Sequence, residues 1–205
     1  MKAEKNSTDE RHILLKQIKD EVLNLTSSPL YAERVKNKVS PVIGEGNHFA
    51  KFMFVGEAPG RNEAATGRPF CGRAGKILDE LLASVEIPRQ DVYVTNIVKD
   101  RPPFNRDPLP EEIDSYGPFL DRQIEIIEPE VIVSLGRFSM TYIMKKFDLD
   151  FLLEPISRIH GKIFDTKTTY GEIKIIPLYH PAVAIYNNKT KDTLLEDFKV
   201  LKNLV

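Results

Sequence analysis

The chain has 205 residues, 41% of them hydrophobic and 29% charged, with a formal net charge of −1, which fits one globular domain with a sizeable core. Its single cysteine, Cys71, excludes an internal disulfide and any metal site built from several cysteines of this chain. No apolar run approaches the ~20 residues needed to span a bilayer and the polar first ten residues carry no signal-peptide pattern, so a cytoplasmic protein without membrane contact is expected.

Ser7-Thr8-Asp9-Glu10 resembles a capping box at a helix start. Leu14, Ile18, Val22 and Leu25 then recur at helical spacing, and Thr26 to Pro29 ends the helix. Residues 1–28 are therefore expected as a helix packing on the rest of a single 1–205 domain. A polar connection, Val42 to Asn47, leads to a first buried strand, Phe52-Met53-Phe54-Val55. A helix is predicted from about Ala74 to Val85, and a β-branched strand from Val92 to Val98. Arg101-Pro102-Pro103-Phe104-Asn105-Arg106 cannot be regular structure, because proline fixes φ and removes a donor. Pro110 suits the first position of a helix running to about Ile127. Val131 to Gly136 is a third strand, Phe138 to Lys146 a helix, Ile173 to Leu178 a fourth strand, and Thr193 to Leu204 a closing helix. Between Phe151 and Tyr170 an edge strand or a hairpin is expected near Lys162-Ile163-Phe164. Strands alternating with helices predict an α/β fold, a parallel sheet covered on both faces.

Candidate chemistry clusters at three strand ends. The first delivers Gly56-Glu57-Ala58-Pro59-Gly60 with Glu63, then Thr66-Gly67-Arg68-Pro69-Phe70. The second delivers Asn96, and the fourth His180-Pro181-Ala182. In a parallel sheet these ends share one edge, so distant residues can converge. An amide at Asn96 can read a donor–acceptor edge, Phe70 can stack on a planar ring, and His180 can donate to a developing oxyanion. Each residue alone also fits a duller role in packing or backbone capping, and a structural role is favoured for His160. Arg61, Arg68, Arg73 and Lys76 face one acid, Glu63, between positions 61 and 76, while Arg101 and Arg106 occupy a second loop. Such a basic rim could hold a phosphate backbone, although charge alone favours solvated loops.

Taken together, Gly44 to Asn47, Gly56 to Gly60 with Glu63, Thr66 to Phe70, Asn96 to Lys99, Arg101 to Arg106 and His180 to Ala182 resemble the family 4 uracil-DNA glycosylases over most of the chain. The resemblance implies a three-layer α/β/α sandwich around a mainly parallel four-stranded sheet, and hydrolysis of the N-glycosidic bond of uracil in single- or double-stranded DNA. The base would be flipped into a pocket built on Gly56 and Ala58. Phe70 would stack on it, Asn96 would bond its polar edge, and Glu63 would crowd a thymine methyl. Glu57 would act on water and on the cationic sugar, and His180 would donate to O2. Pro181, Ala182 and the following loop through Asn187 would help to hold the opened duplex. Arg68, Arg73, Arg101 and Arg106 are phosphate-contact candidates by charge. A cytoplasmic, nucleoid-associated monomer is expected. The alternatives are a catalytically weak DNA-binding module and a glycosylase of changed base preference, such as hypoxanthine or thymine opposite guanine.

The sequence departs from the family at its iron–sulfur cluster. The four cysteine positions are occupied by Leu25, Ser28, Asp100 and Tyr116, none of which supplies a thiolate. No metal and no organic cofactor is therefore expected, and substitute contacts are expected where the cluster would sit. Ala64 also stands where the family often has a second acid.

Overall fold

The computed structural model describes residues 8–185 and 187–204. Six strands form one sheet: β1 (Glu45–Gly46), β2 (Phe52–Gly56), β3 (Tyr93–Asn96), β4 (Val131–Leu135), β5 (Phe164–Thr168) and β6 (Gly171–Leu178), in the order β1-β3-β2-β4-β6-β5. The expected parallel strands β3, β2, β4 and β6 form the centre. Two antiparallel edge strands extend it: β1 pairs with β3, and β5 forms a hairpin with β6. The hairpin falls where the sequence left an edge strand or hairpin open.

Eight α-helices complete the described chain: α1 (Thr8–Leu23), α2 (Tyr31–Asn37), α3 (Arg61–Thr66), α4 (Arg73–Ser84), α5 (Pro110–Ile127), α6 (Arg137–Lys146), α7 (Ile156–Ile159) and α8 (Asn188–Lys202). Ser7 of the expected capping box lies outside the described residues. The short helices α2 and α3 were not legible from periodicity, since neither completes two full turns. The closing helix begins at Asn188 rather than Thr193, because the Asn187 side chain caps it, accepting from the Lys189 amide at 3.0 Å.

The central strands are apolar on both faces, as a covered parallel sheet requires. Along β2 the side chains alternate between two cores. Met53 and Val55 point to the layer of α1, α5 and α6, where Ile18, Val22, Leu120, Ile124 and Ile143 are buried. Phe52 and Phe54 point to the layer of α4 and α8, with Leu78, Leu81, Leu194 and Phe198. The result is the expected three-layer α/β/α arrangement. No described helix is long and apolar enough to cross a membrane.

Candidate active site

From β2 the chain moves to β3 on one side and then to β4 on the other. A crevice outside the carboxyl ends of the strands is expected at such a reversal. The observed cavity, about 450 Å3, is lined there by Glu57, Glu63, Phe70, Asn96 and His180. Five residues from three strand ends, helix α3 and one loop are thus brought to one place.

Gly56 pairs in register with Asn96. A Cβ on Gly56 would lie 2.3 Å from Asn96 Oδ1 and 2.7 Å from Phe70 Cζ. Only glycine lets the amide and the ring close over this strand end. Gly56 therefore forms the floor beneath the lining residues, while Ala58 lines the cavity itself. Asn96 is 2% exposed, and its side-chain amide has no hydrogen-bond partner among the described residues. Its backbone is fixed from below. The buried Lys99 Nζ donates to the Asn96 carbonyl at 2.6 Å, to Gln123 Oε1 at 2.6 Å and to Thr95 Oγ1 at 2.9 Å. Burial holds this ammonium well below the usual lysine range. Gln123 in turn donates to the Ile43 carbonyl at 2.9 Å.

Phe70 is buried in a left-handed conformation, φ +49°, which a bulky residue adopts only when its surroundings enforce it. Its ring stacks on His180, with centroids 5.6 Å apart and planes 30° apart. The Ala182 amide donates to His180 Nδ1 at 3.1 Å. The neutral ring therefore carries its proton on Nε2. Burial pushes the imidazole pKa down to about 4, so the neutral donor form prevails at pH 7. Gly136, at φ +90°, makes room: a Cβ there would lie 3.1 Å from His180 Cβ.

Glu57 is half-buried, and its carboxylate accepts no hydrogen bond from the described residues. Burial raises its pKa to about 7; the nearby Asp107 carboxylate adds to the rise and Arg137 opposes it. Asp107 and Arg137 form an ion pair of their own, which sequence reasoning did not find. Glu63 is partly engaged: its Oε1 accepts from the Gly72 amide at 3.0 Å, tying α3 to the start of α4.

Of the expected backbone contacts, Arg73, Arg106 and Ala182 line the cavity, and so does Arg61; Arg68, Arg101 and Pro181 do not. Arg68 is forked onto Glu45 at 2.7 and 2.9 Å. Arg106 is forked onto the buried Glu112 at 2.6 and 2.9 Å, and Arg101 Nε donates to Asn105 Oδ1 at 2.6 Å. Glu45 lies 23 residues from Arg68, whereas Asn105 and Glu112 are local partners, four and six residues beyond their arginines. His160 is paired with Asp197 at 2.8 Å on α8, away from the cavity, in agreement with a structural role.

Three of the four positions that the family gives to cluster cysteines meet in the core. Tyr116 donates to Asp100 Oδ2 at 2.5 Å, Ser28 donates to the Tyr116 hydroxyl at 2.7 Å, and Arg34 Nη1 donates to Asp100 Oδ2 at 2.9 Å. Arg34 also holds the carbonyls of Val22 and Leu23 at 2.9 and 2.6 Å. Leu25, the fourth, is half-buried against the apolar core. Hydroxyl, phenol and carboxylate already bonded to one another do not fit an iron–sulfur cluster, which needs thiolates. Among the described residues no group of three or more His, Cys, Asp or Glu is placed to hold a metal ion.

The sequence pattern of the uracil DNA glycosylase superfamily matches residues 43–202. The chain is 47% identical over 169 residues to a type-4 uracil-DNA glycosylase of Archaeoglobus fulgidus, covering 82% of this chain and 84% of that one. Identity is 44% over 191 residues to the type-4 enzyme of Sulfurisphaera tokodaii, covering 93% and 84%. It is 41% over 197 residues to that of Thermotoga maritima, covering 95% and 96%. The chain belongs to the uracil-DNA glycosylase superfamily, and it is an enzyme of the DNA-repair glycosylase class that its motifs implied.

Proposed function

We propose that this protein removes uracil from DNA by flipping the base into the cavity between Phe70, Asn96 and His180 and hydrolysing its N-glycosidic bond. The observation that carries the reading is the pairing of an unpartnered Glu57, its pKa near 7, with a neutral His180 whose proton is directed to Nε2. Two titratable groups pushed in opposite senses in one cavity are the pattern of an acid–base site.

In this reading Phe70 stacks on the flipped pyrimidine. The Asn96 amide offers one acceptor and one donor, matching the N3–H and O4 of uracil. As the C1′–N1 bond breaks, its electron pair moves onto the uracil ring. His180 Nε2–H then donates to O2, where that charge develops. Ionised Glu57 stabilises the cationic sugar and accepts a proton from the water that bonds to C1′. Uracil leaves as its N1 anion and takes up a proton from solvent, Glu57 returns its proton to solvent, and the products are free uracil and an abasic deoxyribose. Glu63 stands by the pyrimidine C5 edge, where it excludes the thymine methyl. Arg61 and Arg73, at the starts of α3 and α4, face the phosphates beside helix N-termini that favour anions.

The substrate is single- or double-stranded DNA, and the acting species is a monomer. Glu57, half-buried without a partner at a cost in stability, supports turnover over binding alone. The test is incubation with uracil-containing oligonucleotides followed by alkaline cleavage of abasic sites. Strand scission at the uracil position is expected. Binding without scission would leave the DNA-binding alternative, and scission at hypoxanthine but not at uracil would leave the altered-base alternative.

A further inference from the structure

The turn after β3 carries a side chain that neither packing nor the reaction chemistry uses. Phe104 is 97% exposed, more than any other large hydrophobic residue of the described chain; Phe151 follows at 76%. Its backbone is left-handed, φ +57° and ψ 17°, and so is that of Asn105, φ +55°. Asparagine tolerates this region, whereas a bulky aromatic residue is strained there. A glycine would hold the same turn without strain and without an apolar ring in water.

The turn itself is held by hydrogen bonds. The Asn105 amide donates to the Pro102 carbonyl and the Arg106 amide to the Pro103 carbonyl, each at 3.1 Å. Arg101 Nε holds the Asn105 side chain, and Glu112 clamps the Arg106 guanidinium. Pro102, Asn105 and Arg106 all line the catalytic cavity. Phe104 is therefore a flat, apolar side chain carried on a hydrogen-bonded turn at the rim where the nucleotide enters.

We propose that Phe104 is a wedge that enters the base stack of duplex DNA beside the flipped nucleotide, filling the gap the base leaves. Apolar side chains inserted between base steps offset the cost of unstacking and hold the duplex open. The neighbouring guanidinium of Arg101, which bonds the neutral Asn105 side chain and so keeps its net charge, favours a nucleic acid over an apolar protein surface as the occupant. A single strand has no stack to open, so the wedge acts on duplex substrates. The inference rests on the reading of the cavity as a uracil site.

The test compares single-turnover excision of uracil from a duplex and from the same strand alone, for the parent and for Phe104→Gly, Phe104→Ser and Phe104→Leu. The duplex rate of the Gly and Ser variants is expected to fall about tenfold or more, with a far smaller loss on the single strand, and Phe104→Leu is expected to retain most of the duplex rate. In parallel, 2-aminopurine placed next to the uracil should brighten when the parent binds the duplex, and brighten less with Phe104→Gly. Thermal melting checks the fold, and the Gly variant is expected to melt no lower than the parent. Equal loss on both substrates, or no loss on either, overturns the wedge; in the second case Phe104 is left as a protein-docking residue. A parent that excises uracil from neither substrate overturns the reading of the cavity instead, and the wedge with it.

Discussion

The Tyr116 hydroxyl donates to the Asp100 carboxylate at 2.5 Å, joining two positions, sixteen residues apart, that the family uses to hold a metal cluster. Arg34 closes the arrangement from α2 and holds the last carbonyls of α1 at the same time. A cluster ties the end of the first helix to the Arg-Pro-Pro loop by coordination. Here the same two segments are tied by a buried ion pair and a chain of hydroxyls. Burial raises the Asp100 pKa despite Tyr116 and Arg34, and Asp100 Oδ1 has no partner among the described residues. The staple is a costly arrangement on its own, held by its geometry.

Purified protein is accordingly expected to be colourless, iron-free and folded. Arg34→Met leaves Asp100 buried without its cation and is expected to cost ~3–5 kcal/mol in urea unfolding. Tyr116→Phe, which removes one hydroxyl from the chain, is expected to cost ~1–3 kcal/mol. Leu25 is only half-buried, so Leu25→Ala is expected to fall below the ~2–5 kcal/mol of a fully buried truncation. Stoichiometric iron, or an Arg34→Met variant as stable as the parent, would refute the staple.

Much of this architecture is written in local pattern. The runs Phe52–Val55, Val131–Leu135 and Ile173–Leu178 are apolar on both faces apart from Ser134 and Lys174, so their burial and parallel pairing follow from composition. Gly56, Asn96 and His180 are legible as a site because strand ends of a parallel sheet share an edge. What escaped the sequence is contact between distant segments. Arg34 meets Asp100 across 66 residues from a seven-residue helix too short to announce itself. Arg106, with the charge of a phosphate contact, instead meets the nearby Glu112, which its burial distinguishes from the exposed Glu111 beside it. Phe104 reads as one more loop residue until its backbone angle and exposure are seen together.

The base pocket gives the next expectation. Asn96 is buried with its amide unpartnered, so Asn96→Asp replaces a donor with a carboxyl group in the face offered to the pyrimidine. Uracil excision is expected to fall and the ratio of cytosine to uracil excision to rise. Phe70→Ala removes a stacking surface worth ~1–3 kcal/mol per base and weakens capture accordingly. Both are read by single-turnover cleavage of uracil- and cytosine-containing strands. Two variants with the parent's rate and selectivity would move the pocket elsewhere.

Contact with the phosphate backbone is expected from Arg61 and Arg73, which line the cavity, rather than from Arg68, which is forked onto Glu45. The double variant Arg61→Gln with Arg73→Gln is expected to reduce the slope of log affinity against log salt by about one to two, at any DNA sequence. Arg68→Gln is expected to change it much less. Filter binding across a salt series measures both. Equal slopes for the parent and the double variant would place the backbone path away from α3 and α4.

The final expectation joins activity to stability at Glu57. Its folded pKa of about 7 lies above the ordinary ~4.3 of an unfolded glutamate. The folded state therefore binds this proton more tightly than the unfolded one. The resulting stability is present below pH 4 and is lost as pH rises to 7, because the carboxylate ionises in a half-buried site. The ionised form is also the one that acts on water. Single-turnover excision is thus expected to rise with pH to a plateau above an inflection near 7. His180, with a pKa near 4, should add no inflection above pH 5. Glu57→Gln is expected to lower the plateau by about a hundredfold or more and to abolish the inflection. The same variant is expected to be more stable than the parent at pH 8, by ~1–3 kcal/mol, and no more stable at pH 4. A flat parent profile between pH 6 and 8 would refute the role of Glu57 as base, and an unchanged stability at pH 8 would show that its carboxylate is solvated rather than buried.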